Sequence, residues 1–180
     1  MVIKTAIVNV VATATLDQKL DLDELGRLKE ILHDPEIYGG LVAYFKSSEM
    51  KGRVSIFSSG KMISVGTTSE EQAIRELEGA KEFMVRKGFV KPVALRCKIQ
   101  NIVVLANFGH SVDLENLSKD YKLIYEPEQF PGAILKVHKP CKATLLIYAS
   151  GKAVLTGLKS SDQIKPLIEK IEDIVKKYAY

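Results

Sequence analysis

The polar and apolar positions of the chain fall into two rhythms. Alternation and β-branched runs predict strands over Ile7 to Thr15, around Leu41 to Lys46, and on both sides of the turns in FSSGKMISVG, residues 57–66, and YASGKAVLTG, residues 148–157. β-Branched runs also predict strands over Ile99 to Ala106 and around Ala133 to Val137. A period near 3.6 predicts a helix with Ala73, Leu77, Ala80 and Met84 on one stripe, ending at Gly88, and a second helix presenting Ile168, Ile171, Val175 and Tyr178. Ser69 with Gln72, and Ser160 with Gln163, are capping-box pairs that mark the two helix starts. Pro166 then predicts a later start or a bend for the second helix.

These elements come twice in the same order. Aligning Gly60 with Gly151 gives a shift of 91; IVNVVATAT with IQNIVVLAN, LDLDEL with VDLENL, and DPEIYGG with EPEQFPG all fall at 92. Two copies at so long a period mean a duplicated domain rather than a solenoid. The boundaries are placed at 1–91 and 92–180. Many strands, few helices and two copies predict an α+β fold, an antiparallel sheet with its helices on one face.

That architecture leaves one face uncovered. Val54 and Ile56 alternate with Ser55 and Phe57, whose side continues through Ile63 and Val65; Leu145, Ile147 and Leu155 oppose Leu146, Tyr148, Val154 and Thr156. Both sides are largely apolar and none of these residues is acidic. An exposed apolar face of this extent is a binding surface, or is buried in a homo-oligomer or against another domain.

Composition narrows the classes. The chain has 180 residues, 46% of them apolar, and no run long enough to cross a bilayer as a helix, which reads as an intracellular protein. Its net charge of +4 is uneven: residues 1–90 carry 12 basic against 13 acidic side chains, residues 91–180 carry 14 against 9. This permits a nucleic-acid partner without demonstrating one. Cys97 and Cys141 have no Cys or His at metal spacing, so neither a metal site nor a disulfide is expected, and no cofactor is implied. The GK pairs are not phosphate-binding loops, because Ser55 and Leu146 stand where a first glycine belongs and Met62 and Ala153 where Ser or Thr follows. His33, His110 and His138 are scattered, and Asp17, Asp21, Asp23 and Glu24 lack a calcium loop's glycine and terminal Glu. The sequence therefore reads as a non-enzyme.

The motifs VNVVATATLDQKLDL, IFSSGKM, IQNIV, YEPEQFPG and LIYASGK, in duplicate over almost the whole chain, resemble the TATA-box-binding protein family, especially its archaeal members. The resemblance implies a pseudo-two-fold saddle whose concave sheet grips the DNA minor groove and kinks it by wedging apolar side chains between base steps, a mechanism for which this family is the standard example. It places the wedges at Tyr38 and Phe57, and at Phe130 and Tyr148. Asn9 and Asn101 take the central positions with Val11 and Val103. Ile63, Val65, Leu146, Val154 and Thr156 line the groove floor, and Lys61, Lys136 and Lys152 meet phosphates. Tyr125, Glu126 and Glu128 form the docking surface for transcription factor B, through which RNA polymerase is recruited. The implied place of action is the archaeal cytoplasm with its nucleoid, or the nucleus in a eukaryote, and the short flanks resemble the minimal archaeal form. A homodimer through the apolar underside is expected off DNA.

The chain departs from the family pattern mostly in its first copy. Tyr38 and Tyr148 replace phenylalanines, Ser55 a groove-facing leucine, Val65 a threonine, and Ile37 and Tyr44 stand at positions that often carry arginine. The expectation is weaker or less TATA-selective binding by the first copy, as in a specialised paralogue. The alternative is a related module that has lost promoter binding and acts through protein contacts or RNA.

Overall fold

The computed structural model describes residues 3–180, which form two compact units. One spans residues 9–100; the other comprises residues 101–180 with the described residues up to Val8.

In the 9–100 unit, β1 (Lys4–Thr15, from Asn9 onward) is followed by α1 (Leu22–Leu25), β2 (Ile31–His33), β3 (Val42–Phe45), β4 (Arg53–Phe57), β5 (Lys61–Thr67) and α2 (Glu70–Arg86). The strands pair antiparallel in the order β2-β3-β4-β5-β1. The other unit repeats the scheme with β6 (Lys98–Asn107, from Asn101 onward), α3 (Leu114–Asp120), β7 (Gly132–Val137), β8 (Ala143–Tyr148), β9 (Lys152–Leu158) and α4 (Ile164–Val175), its sheet ordered β6-β9-β8-β7.

Why the helices start where they do is visible in their caps. Asp21 accepts the N–H groups of Asp23 and Glu24, and Asp113 that of Asn116 at 3.0 Å, so each short helix opens on a carboxylate facing its positive end. The hydrogen bond from Asn116 holds the Asp113 carboxyl below its usual range. Ser69 Oγ accepts from Gln72 N, while Gln72 Oε1 reaches back one residue beyond the cap to Thr68 N. At the second long helix the box on Ser160 and Gln163 closes, but a turn of 3-10 helix, Ser161–Gln163, delays α4 to Ile164. Pro166 thus falls in the first turn of α4, where its missing N–H has no intrahelical partner to lose.

Packing follows the expected stripes with two corrections. Ala73, Leu77, Ala80 and Met84 are fully buried, joined by Phe83, whose ring stands 4.8 Å from Phe45, and by Glu76. Tyr178 is not on the helical stripe: it ends a separate 3-10 turn, Lys176–Tyr178, and its hydroxyl donates to Asp120 at 2.6 Å, which raises its pKa to about 12. The covered sheet faces carry Val54, Ile56 and Met62 in one unit and Leu145, Ile147 and Leu155 in the other, all fully buried.

The repeated SGK turns answer to backbone crowding. Gly60 and Gly151 have φ of 88° and 76°, and a Cβ would lie 2.2 Å from Gln18 O and 1.8 Å from His110 O respectively. Their carbonyls accept Leu16 N and Phe108 N at 2.9 Å, tying each turn to the chain leaving β1 or β6.

Candidate nucleic-acid interface

The face opposite the helices carries the residues the sequence assigns to a groove. Asn9, Val11, Phe57, Ile63 and Val65 in one unit, and Asn101, Val103, Leu146, Tyr148, Val154 and Thr156 in the other, are all half-buried, and each has at least one buried neighbour in sequence. Register aligns one row across each unit. Leu105, Val154, Leu146, Ile134 and Ile124 form a wholly apolar row; its counterpart reads Thr13, Ile63, Ser55, Tyr44 and Leu32. No carboxylate stands in either row, which would repel phosphate.

The asparagines sit beside matched irregularities. The β1–β5 register shifts between Val10 and Ala12, and the β6–β9 register between Ile102 and Val104. There Asn9 Oδ1 accepts Gly66 N at 2.8 Å, and Asn101 Oδ1 accepts Gly157 N at 2.7 Å. Both glycines have positive φ, 89° and 95°. Each amide therefore has its acceptor end occupied by a backbone N–H and at least one Nδ2 hydrogen left over, the polarity that suits adenine N3 and thymine O2. The two differ in one contact: Asn101 Nδ2 donates to Thr156 Oγ1 at 3.2 Å, whereas Val65 gives Asn9 no such hydroxyl.

The aromatic pairs are not equivalent. Phe130 and Tyr148 stand with ring centroids 6.0 Å apart and planes at 58°, over Gly132, whose Cβ would come within 2.8 Å of the Phe130 ring and 3.1 Å of the Tyr148 ring. Gly132 pairs directly with Tyr148, but Phe57 pairs with Val42, not with its glycine counterpart Gly40. The β3–β4 pairing is thus displaced by two residues, roughly 7 Å along the strand, relative to β7–β8. Seven residues, 46–52, join β3 to β4 where five, 138–142, join β7 to β8. The longer turn is tied down: Glu76 Oε1 accepts Lys51 N and Gly52 N at 2.9 and 3.1 Å, and Lys46 Nζ donates to their carbonyls at 3.1 and 3.0 Å. Tyr38 is consequently carried into a tight turn with φ 50° and is 76% exposed, without a ring contact to Phe57 among the described residues.

Lys61, Lys136 and Lys152 are exposed, the first and last opening β5 and β9 directly after the turns. Lys152 also borders an open, mainly apolar cavity of about 550 Å³ with Lys4, Leu105, Tyr148 and Val154. One cation on this face escaped the sequence reading. Arg53 shares the side of Ser55 and Phe57 by alternation, and its guanidinium lies 4.5 Å from the Tyr44 ring centroid. Extending the alternation two residues back from Ser55 finds it.

Comparison with known proteins agrees with this geometry. The family model described as transcription factor TFIID (or TATA-binding protein, TBP) matches twice, over residues 4–84 and 96–178. The chain is 36% identical to the TATA-box-binding protein of Cenarchaeum symbiosum over 160 residues, 88% of this chain and 87% of that one. It is 37% identical to that of Sulfolobus acidocaldarius over 167 residues, 92% and 83% of the two chains. The solved structure of Methanococcus jannaschii TBP superposes with a TM-score of 0.84 at 32% identity, covering 97% of this chain and 99% of that one. The chain belongs to the TATA-box-binding protein family. The expected α+β fold is that of the family, and the first copy's departures now have a structural counterpart in the displaced β3–β4 register.

The expected docking surface is a turn in which Glu126 O accepts Gln129 N and Phe130 N, each at 2.9 Å. Glu126 and Glu128 are exposed and Tyr125 is half-buried, lining a cavity of about 380 Å³ with Val112, Leu114, Pro127 and Tyr180. The same turn therefore carries both the half-buried Phe130 and two exposed carboxylates. His33 bridges Val42 O at 3.0 Å and Asp23 Oδ1 at 3.1 Å, burial pushes both cysteine thiols up, and no cluster of three or more His, Cys, Asp and Glu that could hold a metal occurs among the described residues. No helix among them is long and apolar enough to cross a membrane.

Proposed function

We propose that this chain is a general transcription initiation factor. It binds the minor groove of A·T-rich, TATA-box promoter DNA through the open faces of both repeats, 1–91 and 92–180, kinks the duplex with aromatic wedges, and recruits transcription factor B and, through it, RNA polymerase. The observation that carries this reading is the matched pair of asparagines, each with its Oδ1 taken by a bulge glycine N–H, which leaves amide N–H donors rather than acceptors for a ligand. In the minor groove A·T pairs offer only acceptors, while the guanine amino group is a donor that would meet another donor and crowd against Val11 and Val103. The wholly apolar row of the second repeat suits a dehydrated groove floor.

The grip is uneven. Phe130 and Tyr148 form a preassembled wedge pair, and a flat ring entering a base step replaces part of the lost stacking. Tyr38 and Phe57 lack that assembly, so the second repeat drives the kink. Lys61, Lys136 and Lys152 act on phosphates, positioning without reading sequence. Glu126, Glu128 and Tyr125 receive transcription factor B. Archaeal relatives support action at the nucleoid, and off DNA the same apolar face pairs two copies, which sedimentation would show as a mass rising with concentration.

The test is fluorescence anisotropy on A·T-rich and G·C-rich duplexes at varied salt. The proposal expects preference for the A·T-rich duplex and a log–log salt slope that becomes less negative by about 0.9 on each Lys→Ala change at residues 61, 136 and 152. Equal, salt-insensitive binding to both duplexes, or none, would favour a protein-interaction module instead.

A further inference from the structure

The row of residues nearest Asn9 differs from its twin in a way that places a base-reading group there. In the second repeat Lys136, Thr144 and Thr156 lie in register across β7, β8 and β9, and Thr156 Oγ1 meets the Asn101 amide. In the first repeat Arg53 pairs with Val65, the residue before the bulge glycine that holds Asn9. Arg53 thus occupies the ladder position of Thr144, and Val65 that of Thr156. One step beyond the last β3–β4 pair, Phe45 with Val54, the counterpart of Lys136 is Lys46, whose ammonium is turned into the β3–β4 turn on the carbonyls of Lys51 and Gly52. The outward cation of this row has moved one strand inward and changed from lysine to arginine.

Arg53 is exposed, no carboxylate pairs with it among the described residues, and its guanidinium is held over the Tyr44 ring. Stacking occupies a face of the guanidinium and leaves its edge, with the N–H donors, free. Arg53 opens β4 straight after the 46–52 turn, but β4 is the central strand of its unit, and the residue opposite Arg53 is Val65, next to the glycine that holds Asn9. A cation beside the base-reading asparagine, rather than on an outer strand, is placed to reach base edges. We propose that Arg53 is a sequence-reading residue of the first repeat, donating to the minor-groove acceptors of A·T pairs beside those met by Asn9. It supplies, in the half that lacks the Thr156 hydroxyl and the leucine at Ser55, a discrimination the second repeat achieves by apolar exclusion. This rests on the minor-groove reading above.

The test is a competition titration of the full chain against duplexes in which each A·T pair of the bound site is replaced in turn by G·C, for the wild type, Arg53→Lys and Arg53→Thr, the residue at the twin position. The wild type is expected to lose roughly tenfold in affinity at one or two positions confined to one half of the site. Arg53→Thr flattens those positions to within about threefold, leaves the other half's profile intact, and keeps the wild-type melting temperature, since the side chain is exposed. Arg53→Lys keeps the charge but also flattens the profile, because an ammonium lacks the planar fork. Uniform weakening on every duplex with a salt slope less negative by about one would make Arg53 a phosphate contact and overturn the inference, as would an unchanged profile. A wild type that does not distinguish A·T-rich from G·C-rich duplexes at all would overturn the minor-groove reading, and this inference with it.

Discussion

Replacing Asn101 in two ways separates its structural duty from its DNA contact. Its Oδ1 accepts Gly157 N at 2.7 Å and its Nδ2 donates to Thr156 Oγ1 at 3.2 Å, in a half-buried site. Asn101→Ala removes the acceptor and leaves the bulge N–H unsatisfied, a loss at the lower end of the 1–3 kcal/mol typical of an orphaned donor because the site is only half-buried. About 1 kcal/mol in a chain of this length lowers the melting temperature by roughly 3 °C. Asn101→Asp keeps an acceptor for Gly157, and its second oxygen accepts from the Thr156 hydroxyl, so its melting temperature stays within about 1 °C of the wild type. It has, however, no donor for the groove, and it points a carboxylate at base acceptors beneath a phosphate wall. Binding to an A·T-rich duplex is therefore expected to fall by at least the 1–3 kcal/mol of a good base contact, roughly five- to 150-fold, with phosphate repulsion added. Differential scanning fluorimetry and anisotropy on the same samples read both quantities. An Asp variant that binds like the wild type, or a loss of binding that merely tracks stability across both variants, would refute the assignment of the outward amide donors to DNA.

Gly151→Ala, with a Cβ 1.8 Å from the His110 carbonyl oxygen at φ 76°, is expected to cost several kcal/mol in urea unfolding, whereas Gly39→Ala, with φ 61° but nothing within 4 Å, costs about 1 kcal/mol; equal losses would contradict the crowding account. Gly132→Ala pushes on the ends of the Phe130 and Tyr148 rings rather than on backbone, so the fold should keep its melting temperature while the ability to bend DNA falls severalfold in an energy-transfer titration; unchanged bending would show that the rings need not stand as a pair. Tyr178, donating to Asp120, titrates near 12, and Asp120→Asn should return it toward the ordinary tyrosine value when followed by ultraviolet absorbance. Because the folded pKa is raised, the stability this hydrogen bond contributes is present below about pH 10 and disappears as pH rises through 12, so wild type and Asp120→Asn should converge in stability only in that alkaline window.

Much of this was legible because the chain repeats itself. The caps at Ser69 and Ser160, the alternation that buries Val54 and Leu145 and turns Phe57 and Tyr148 to the other side, and the late start of α4, at Ile164 with Pro166 in its first turn, are local signals, and local chemistry realises them. The asparagines were legible as a pair, but not the reason they are held: a hydrogen bond from Gly66 N–H to Asn9 Oδ1 spans two strands, and the bulge that allows it is a matter of register. Register also hid the displaced β3–β4 pairing. Moving a strand by two residues preserves which side chains face the core, so the pattern of hydrophobic residues does not change, and only the length of the 46–52 turn and its tethers to Glu76 and Lys46 decide it. Tyr38 therefore looked equivalent to Phe130 by position in the sequence while standing apart from Phe57 in the fold. Arg53 was overlooked because the alternation was read from the turn outward and stopped at Ser55.

The measurement that bears most directly on the central claim is bending of a doubly labelled A·T-rich duplex, followed by energy transfer, for the wild type, for Phe130→Ala with Tyr148→Ala, and for Tyr38→Ala with Phe57→Ala. The account predicts bending by the wild type, its near-complete loss in the second-repeat double variant with binding still detectable at low salt, and a smaller loss in the first-repeat variant. Wild-type-like bending by the second-repeat variant, or tight binding of the wild type without any bend, would contradict it.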